Sequence, residues 1–202
     1  MLNKINKLSQ TEFTEVFGNI FENASWIAEK LYKEKPFVNF HDLSKKMLNV
    51  FKSTNNENKL KILNSHPDLA DKTKIDSLTP ESNQEQINAE LDRCTEEEFN
   101  EFRNLNIEYK KKFGFPFILA VKKKSKIEIL DNFRKRILSD KKIEFNNAIE
   151  QVKEIAILRL EEVEISLPNI QHLQDQLIST CTKLKQFYSQ DEDWKFYLKI
   201  FY

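Results

Sequence analysis

Glycine is almost missing from this sequence: only Gly18 and Gly114 occur in 202 residues. A sheet protein of this length needs many tight turns with positive φ, and glycine usually supplies them. Its scarcity beside abundant Leu, Lys, Glu and Ile favours helices. Cysteine is equally sparse. Cys94 and Cys181 lie far apart, which makes neither a disulfide framework nor a zinc site and suits reduced thiols in a cytosol. Net charge is missing too, because 32 basic side chains balance 32 acidic ones. No global field therefore draws the chain to nucleic acid or to an anionic membrane. No apolar run reaches the ~18 residues of a membrane span. The first residues, Met1 to Lys7, are too polar for a secretory h-region, and Lys199 to Tyr202 carry no peroxisomal tripeptide. No histidine pair sits at ligand spacing and no glycine-rich phosphate loop occurs, which sets aside the commonest metal and nucleotide sites. What remains is a soluble helical protein, long enough for one domain with a real core or one domain plus an appendage.

Apolar residues recur at three-and-four spacing almost throughout. Ser9 with Glu12 reads as a capping box opening the first helix, followed by Phe13, Val16, Phe17, Ile20 and Phe21. A second helix carries Trp26, Ile27, Leu31 and Tyr32 and stops before Lys35-Pro36. A third follows Asp42, with Leu43, Met47, Val50 and Phe51 on one face. A short fourth holds Leu60, Ile62 and Leu63. Ser65-His66-Pro67-Asp68-Leu69-Ala70 then breaks the periodicity as a loop. Two starts compete for the next helix: Thr79 as cap with Pro80 at the first helical position, or Ser82 as cap with Glu85 as partner. On either, residues 82, 85, 86 and 89 share one face. A long helix from about Thr95 ends at Phe113-Gly114, where glycine suits a left-handed cap. The run Phe115 to Val121 is apolar, and its periodicity does not separate a buried extended segment from a buried helical turn. Helices from about Ser125, with Ile127, Leu130, Phe133 and Ile137, and from about Lys141 to Val163 follow. Pro168 marks a break before a last helix with Ile170, Leu173, Leu177, Ile178 and Leu184.

Histidine is the usual acid–base group near neutral pH. His41 reads as a helix-entry residue and His172 as a solvated one. His66 stands out because it sits in a helix-breaking turn, fixed by the following proline, and loops on rigid scaffolds carry many active sites. Ser82 with Glu85 has a plain structural reading as a capping box. Arg159, among Ile155, Ala156, Leu158 and Leu160, has one as a snorkelling side chain on an amphipathic helix. The residues alone thus lead to a helical protein with one suspicious loop.

A set of motifs leads further. His66-Pro67-Asp68-Leu69-Ala70 is followed by Leu78-Thr79-x-x-Ser82-x-x-Glu85-Gln86-x-x-Ala89, then Phe113-Gly114-Phe115-Pro116-Phe117, Lys122, Glu128-Ile129-Leu130 and Arg159-Leu160. Glu22-x-x-x-Trp26 and Lys35-Pro36-Phe37 precede them. In order and spacing, over about residues 8 to 163, the chain resembles the 2-oxo-4-hydroxy-4-carboxy-5-ureidoimidazoline (OHCU) decarboxylase family. Lysine at 35 replaces a commoner arginine, and Glu90 and Lys123 stand where the family usually has glycine.

The resemblance implies an all-α fold, a single-domain multi-helix bundle over residues 1–163 with a C-terminal helical extension over 164–202. It implies a cytoplasmic, cofactor-independent carboxy-lyase, forming (S)-allantoin in uric acid degradation and working as a homodimer, with a small-molecule substrate and neither nucleic acid nor membrane as partner. His66 would be the catalytic acid–base residue. Glu85 would orient it, and its negative charge should raise the histidine's proton affinity. Pro67, Ser82, Asn83, Gln84, Gln86 and the run Phe117, Ile118, Leu119, Ala120 and Val121 would line the substrate site. The run would offer backbone donors and acceptors to a planar ring. Arg159 would clamp an anionic or carbonyl oxygen of the substrate. The extension, with Trp194, Phe196, Tyr197, Phe201 and Tyr202, is expected to dock on the core or on a partner subunit. The competing readings are a family-shaped binding module that has lost the reaction, motivated by Glu90, Lys123 and the extension, and a helical scaffold with no small-molecule site.

Overall fold

A computed structural model describes the backbone of residues 2–71 and 78–188, and the side chains of residues 2–71, 78–166, 179 and 180. Among the described residues there are nine α-helices and no strand, as the scarcity of glycine implied. The helices are α1 (Leu2–Ile5), α2 (Gln10–Phe17), α3 (Trp26–Tyr32), α4 (Phe40–Lys52), α5 (Asn56–Ser65), α6 (Pro80–Asn88), α7 (Glu96–Phe113), α8 (Lys126–Arg136) and α9 (Lys141–Tyr188). The chain divides into two compact units, Leu2–Glu161 and a second from Glu162 onward.

Caps fix most helix starts. Ser9 with Glu12, Thr95 with Glu98 and Ser125 with Glu128 form full capping boxes, each serine or threonine hydroxyl accepting from the third backbone N–H. The helix expected after Asp42 starts earlier, at Phe40, because Asn39 accepts the Asp42 N–H at 2.7 Å and caps it. The two starts considered near residue 80 resolve in favour of Thr79: its hydroxyl accepts from the Ser82 N–H, and Pro80 takes the first helical position. Glu85 is thereby released from any capping role. The first helix is shorter than the periodicity suggests. It ends at Phe17, and Ile20 and Phe21 are buried from the following turns instead. Gly18 is required there, since a Cβ would come within 2.4 Å of the Thr14 carbonyl oxygen. On α8 the inward face carries Ile129, Leu130 and Phe133, while Ile127 is exposed.

Phenylalanine fills the core. Phe13 packs on Phe17, Phe21 on Phe51, and Phe117 stacks on Phe133 with centroids 3.9 Å apart. Tyr109 lies between Phe115, Phe117 and Phe133. The Phe115 to Val121 run is entirely buried and belongs to neither helix nor strand.

The expected break at Pro168 does not occur: α9 runs unbroken from Lys141 to Tyr188. Proline removes one backbone donor and crowds the carbonyl four residues earlier, costing about 3 kcal/mol. In a helix of 48 residues that loss stays local, because propagation on both sides needs no new nucleus. The side chains of Ile170, His172, Leu173, Leu177, Ile178, Cys181 and Leu184, and the aromatic residues from Trp194 to Tyr202, lie outside the described residues.

Candidate active site

α5 ends at Ser65, and His66 leaves the helix with φ −71° and ψ 141°. The pre-proline position favours this extended backbone. The His66 Nδ1 lies 2.8 Å from the Ile62 carbonyl oxygen. A carbonyl only accepts, so Nδ1 carries the proton and donates it. The neutral ring then keeps its lone pair on Nε2. Burial lowers the proton affinity of His66 and Arg159 lowers it further, while the Ile62 hydrogen bond and Glu22 oppose the shift without reversing it. His66 is therefore a neutral imidazole at pH 7 with one free basic nitrogen. The expected influence of Glu85 is corrected here: the carboxylate that favours protonation of His66 is Glu22, and the net shift is downward.

The loop after His66 is tied from two helices. The Gln86 side chain accepts from the Ala70 N–H at 2.9 Å and donates to the Asp68 carbonyl at 3.3 Å. Asn106 of α7 donates to the Leu69 carbonyl at 2.9 Å. Asp68 pairs with Lys110 at 2.7 Å. These ties hold Ala70 at φ 56°, a left-handed conformation that strains any residue with a Cβ. Gln86 thus shapes the loop, with its carbonyl oxygen spent inside the protein.

His66, Pro67, Ser82, Glu85 and Gln86 meet Phe117, Ile118, Leu119 and Val121 around one cleft, with Leu69 and Ile155 completing its wall. The empty volume of the cleft is about 340 Å³, part of it open to solvent. Ser82, Glu85 and Gln86 share the inward face of α6. Asn83 and Gln84 do not join them, because successive residues step about 100° around a helix. Asn83 lines a separate cavity beside Ala70 and Asp71, and Gln84 is exposed and bonded to Asn88. Ala120 is turned from the cleft as well, its N–H donating to Gln151 at 2.9 Å.

The apolar run is anchored behind the cleft. Arg136 donates to the Ile118 carbonyl at 2.7 Å, lies over the Phe117 ring and pairs with the fully buried Glu144, which also accepts from the Tyr109 hydroxyl. Among the described residues, Phe115, Phe117 and Leu119 of this run take no hydrogen bond at N–H or C=O, although they are only 2%, 1% and 6% exposed, and Phe117 and Leu119 line the cleft. A buried backbone pair of this kind calls for a partner.

Arg159 does not snorkel. It is 4% exposed and all five of its N–H groups are engaged. Nε and Nη2 grip both oxygens of Glu85 at 2.7 and 3.0 Å, Nη2 also reaches the Ser82 hydroxyl oxygen, and Nη1 donates to Glu22 and to the Asn19 carbonyl. The expectation that Arg159 clamps a substrate oxygen is corrected: its fork is spent on the protein, and it does not line the cleft. Burial alone would lower its proton affinity, but the Glu85 and Glu22 carboxylates outweigh that and keep it charged. Reading along the sequence missed Leu69 and Ile155 as wall residues and any role for Glu22, because no local spacing brings them to the cleft. Among the described residues no helix is long and apolar enough to cross a membrane, and no cluster of His, Cys, Asp and Glu could hold a metal ion.

A profile of the family described as OHCU decarboxylase matches residues 6–161. The chain is 38% identical over 162 residues to a uric acid degradation bifunctional protein of Bacillus sp. (strain TB-90), covering 80% of this chain and 32% of that one. It thus spans about a third of that relative's length. It is 35% identical over 161 residues to a 2-oxo-4-hydroxy-4-carboxy-5-ureidoimidazoline decarboxylase of Halalkalicoccus jeotgali, covering 80% and 90% of the two chains. Among solved structures, an (S)-allantoin synthase superposes with a TM-score of 0.65 at 27% identity, over 81% of this chain and 54% of that one. An OHCU decarboxylase crystallised in the presence of (S)-allantoin shares the fold, with a TM-score of 0.60 at 22% identity over 77% and 98%.

Proposed function

This chain belongs to the OHCU decarboxylase family, and from that membership we propose that it converts 2-oxo-4-hydroxy-4-carboxy-5-ureidoimidazoline to (S)-allantoin in uric acid degradation, with His66 as the acid–base group. The observation that carries the role of His66 is its fixed tautomer: Nδ1–H is spent on Ile62, so Nε2 is free to take a proton.

The substrate bears a carboxylate and a hydroxyl on one ring carbon, next to a carbon–nitrogen double bond. When the bond to CO2 breaks, its electron pair stays on the ring and passes into the neighbouring C=N, whose nitrogen takes a proton. The hydroxyl becomes a carbonyl by losing its proton, and the adjacent carbon gains one on a single face. Neutral His66 can accept the hydroxyl proton and return a proton to carbon. Glu85, fixed by Arg159, faces the same cleft and orients polar groups of the substrate. The unpaired N–H and C=O of Leu119 match the donor–acceptor edge of a ureido or ring amide. Pro67, Leu69, Phe117 and Ile155 exclude water, which strengthens each polar interaction. The reading also takes the enzyme to be a cytoplasmic homodimer, which light scattering on the purified protein checks for assembly.

The test is incubation with freshly generated OHCU. Accelerated CO2 release together with the circular-dichroism signal of (S)-allantoin is the expected result. Release at the spontaneous rate with a racemic product would leave the family-shaped binding module in its place.

A further inference from the structure

One buried carboxylate takes no part in the steps above, although it bonds Arg159 and Ser82 and its main chain bonds the residue before His66. Glu22, in the segment between α2 and α3, is 2% exposed. Its Oε1 accepts from the Thr79 hydroxyl at 2.7 Å. Its Oε2 accepts from the Ser82 hydroxyl at 2.8 Å and from Arg159 Nη1 at 3.1 Å. Its main-chain carbonyl accepts from the Ser65 hydroxyl at 2.8 Å, the residue before His66. The end of α5, the start of α6 and the middle of α9 therefore converge on one residue, the latter two on its carboxylate.

Such burial is expensive unless the carboxylate is fully bonded, and here three donors satisfy it. The arrangement constrains its partners in turn. The Ser82 proton points at Glu22, so its oxygen is left to accept from Arg159. Arg159 is gripped from two sides, and Glu85, with a side chain 30% exposed, is held at the cleft by that guanidinium rather than by any bond of its own helix.

We propose that Glu22 is the positioning residue of this site: its carboxylate sets Ser82 and Arg159, and through Arg159 the Glu85 carboxylate, against His66. The proposal rests on the decarboxylase reading for its kinetic consequence, but not for its structural one. Among the described residues, the charged groups around His66 are Glu22, Arg159 from α9, Glu85 across the cleft from α6, and Asp68 with Lys110 on a neighbouring cavity. Asp68 and Lys110 pair with each other. One guanidinium serves both Glu22 and Glu85, so these three groups carry one excess negative charge. Removing the Glu22 charge leaves a neutral Arg159–Glu85 pair and takes from His66 the carboxylate that favours its protonated form.

The experiment compares wild type with Glu22→Gln, an isosteric change, by turnover of OHCU and by NMR titration of the histidine rings. A shift of Glu85 of the order of 1 Å lowers kcat about 100-fold, with KM changing less. The His66 titration moves to lower pH. A folded Glu22→Gln protein with near-wild-type kcat overturns the proposal, and so does a loss of kcat with the His66 titration unmoved, which marks a role in stability alone. If Glu22→Gln does not fold, Glu22→Asp carries the test. The charge remains, so His66 titrates as in wild type, but the shorter side chain cannot reach Thr79, Ser82 and Arg159 together and kcat falls. Wild-type kcat in Glu22→Asp overturns the proposal. Inactive wild-type protein would sink the decarboxylase reading instead, and the NMR titration would still judge Glu22.

Discussion

As the proposed acid–base group His66 would act in its neutral form, and its burial gives the pH dependence a sign. Burial holds its proton affinity below the ordinary histidine value, so the unfolded chain takes up a proton on acidification before the folded one does. Stability from this residue is fully present above the unfolded pKa of about 6.5 and is lost as pH falls below it. A base that must be neutral gives the matching kinetic limb: kcat/KM is flat near pH 7 and declines on the acid side below pH 6.5, read from a pH–rate profile against thermal melts over the same range. A decline on the alkaline side of 7 with no acid limb would contradict the assignment. Glu85→Gln gives a second expectation. Since Thr79 caps α6, the substitution spares the helix, but it removes a charge from Arg159. Turnover should fall by about 100-fold or more, with a measurable drop in Tm because Arg159 keeps one carboxylate only; unchanged kcat would leave Glu85 as a structural partner of Arg159. His66 itself was legible in the sequence, from a helix-breaking turn and the following proline. Its tautomer was not, because the Ile62 carbonyl that sets it is a backbone atom without a sequence signal. Arg159 was legible as a site residue but not as a saturated one, since its partners Asn19 and Glu22 lie 140 and 137 residues away.

At the scale of elements, capping chemistry carried most of what could be read. Three capping boxes, the glycine stop after α7 and the Thr79-Pro80 start all follow local rules. The failures share a cause, which is tertiary structure overriding local preference. Phe21 keeps helical spacing yet is buried from a turn, and Pro168 sits inside a helix. Glu90 and Lys123, where the family usually has glycine, have φ of 57° and 64°. Their backbone explains the glycine: the left-handed region costs a residue with a Cβ about 1–2 kcal/mol. Both side chains are exposed and line none of the cleft, so the departures concern backbone strain and not substrate choice. Glu90→Gly and Lys123→Gly should each raise stability by about 0.5–1 kcal/mol, after the entropy of the extra glycine is subtracted. Chemical denaturation checks this, and destabilisation by either change would show that the side chain has a bond worth more than the strain.

At the scale of the molecule, the all-helical class was legible because composition and periodicity agree over the whole chain. The cleft was only half legible. Its three strips, the loop 66–70, the α6 face and the run 117–121, were each visible as motifs, but the ties between them, Gln86 to the loop and Arg136 to Ile118, depend on packing. The profile match ends at residue 161, and among the described residues no cleft residue lies beyond it. Truncation before Pro168 should therefore lower thermal stability or change the assembly while leaving decarboxylation per folded molecule. A truncated protein that folds and assembles unchanged but has no activity would instead make the C-terminal segment part of the catalytic unit. The most direct test of the proposed role of His66 compares wild type with His66→Asn, which keeps a hydrogen-bonding side chain at the same place but has no basic nitrogen, with freshly generated OHCU and the growth of the (S)-allantoin circular-dichroism signal as readout. Loss of a placed acid–base group predicts a fall of about 100- to 10,000-fold in the enzymatic rate with an unchanged melting profile. Optically active product formed by His66→Asn at the wild-type rate would contradict it.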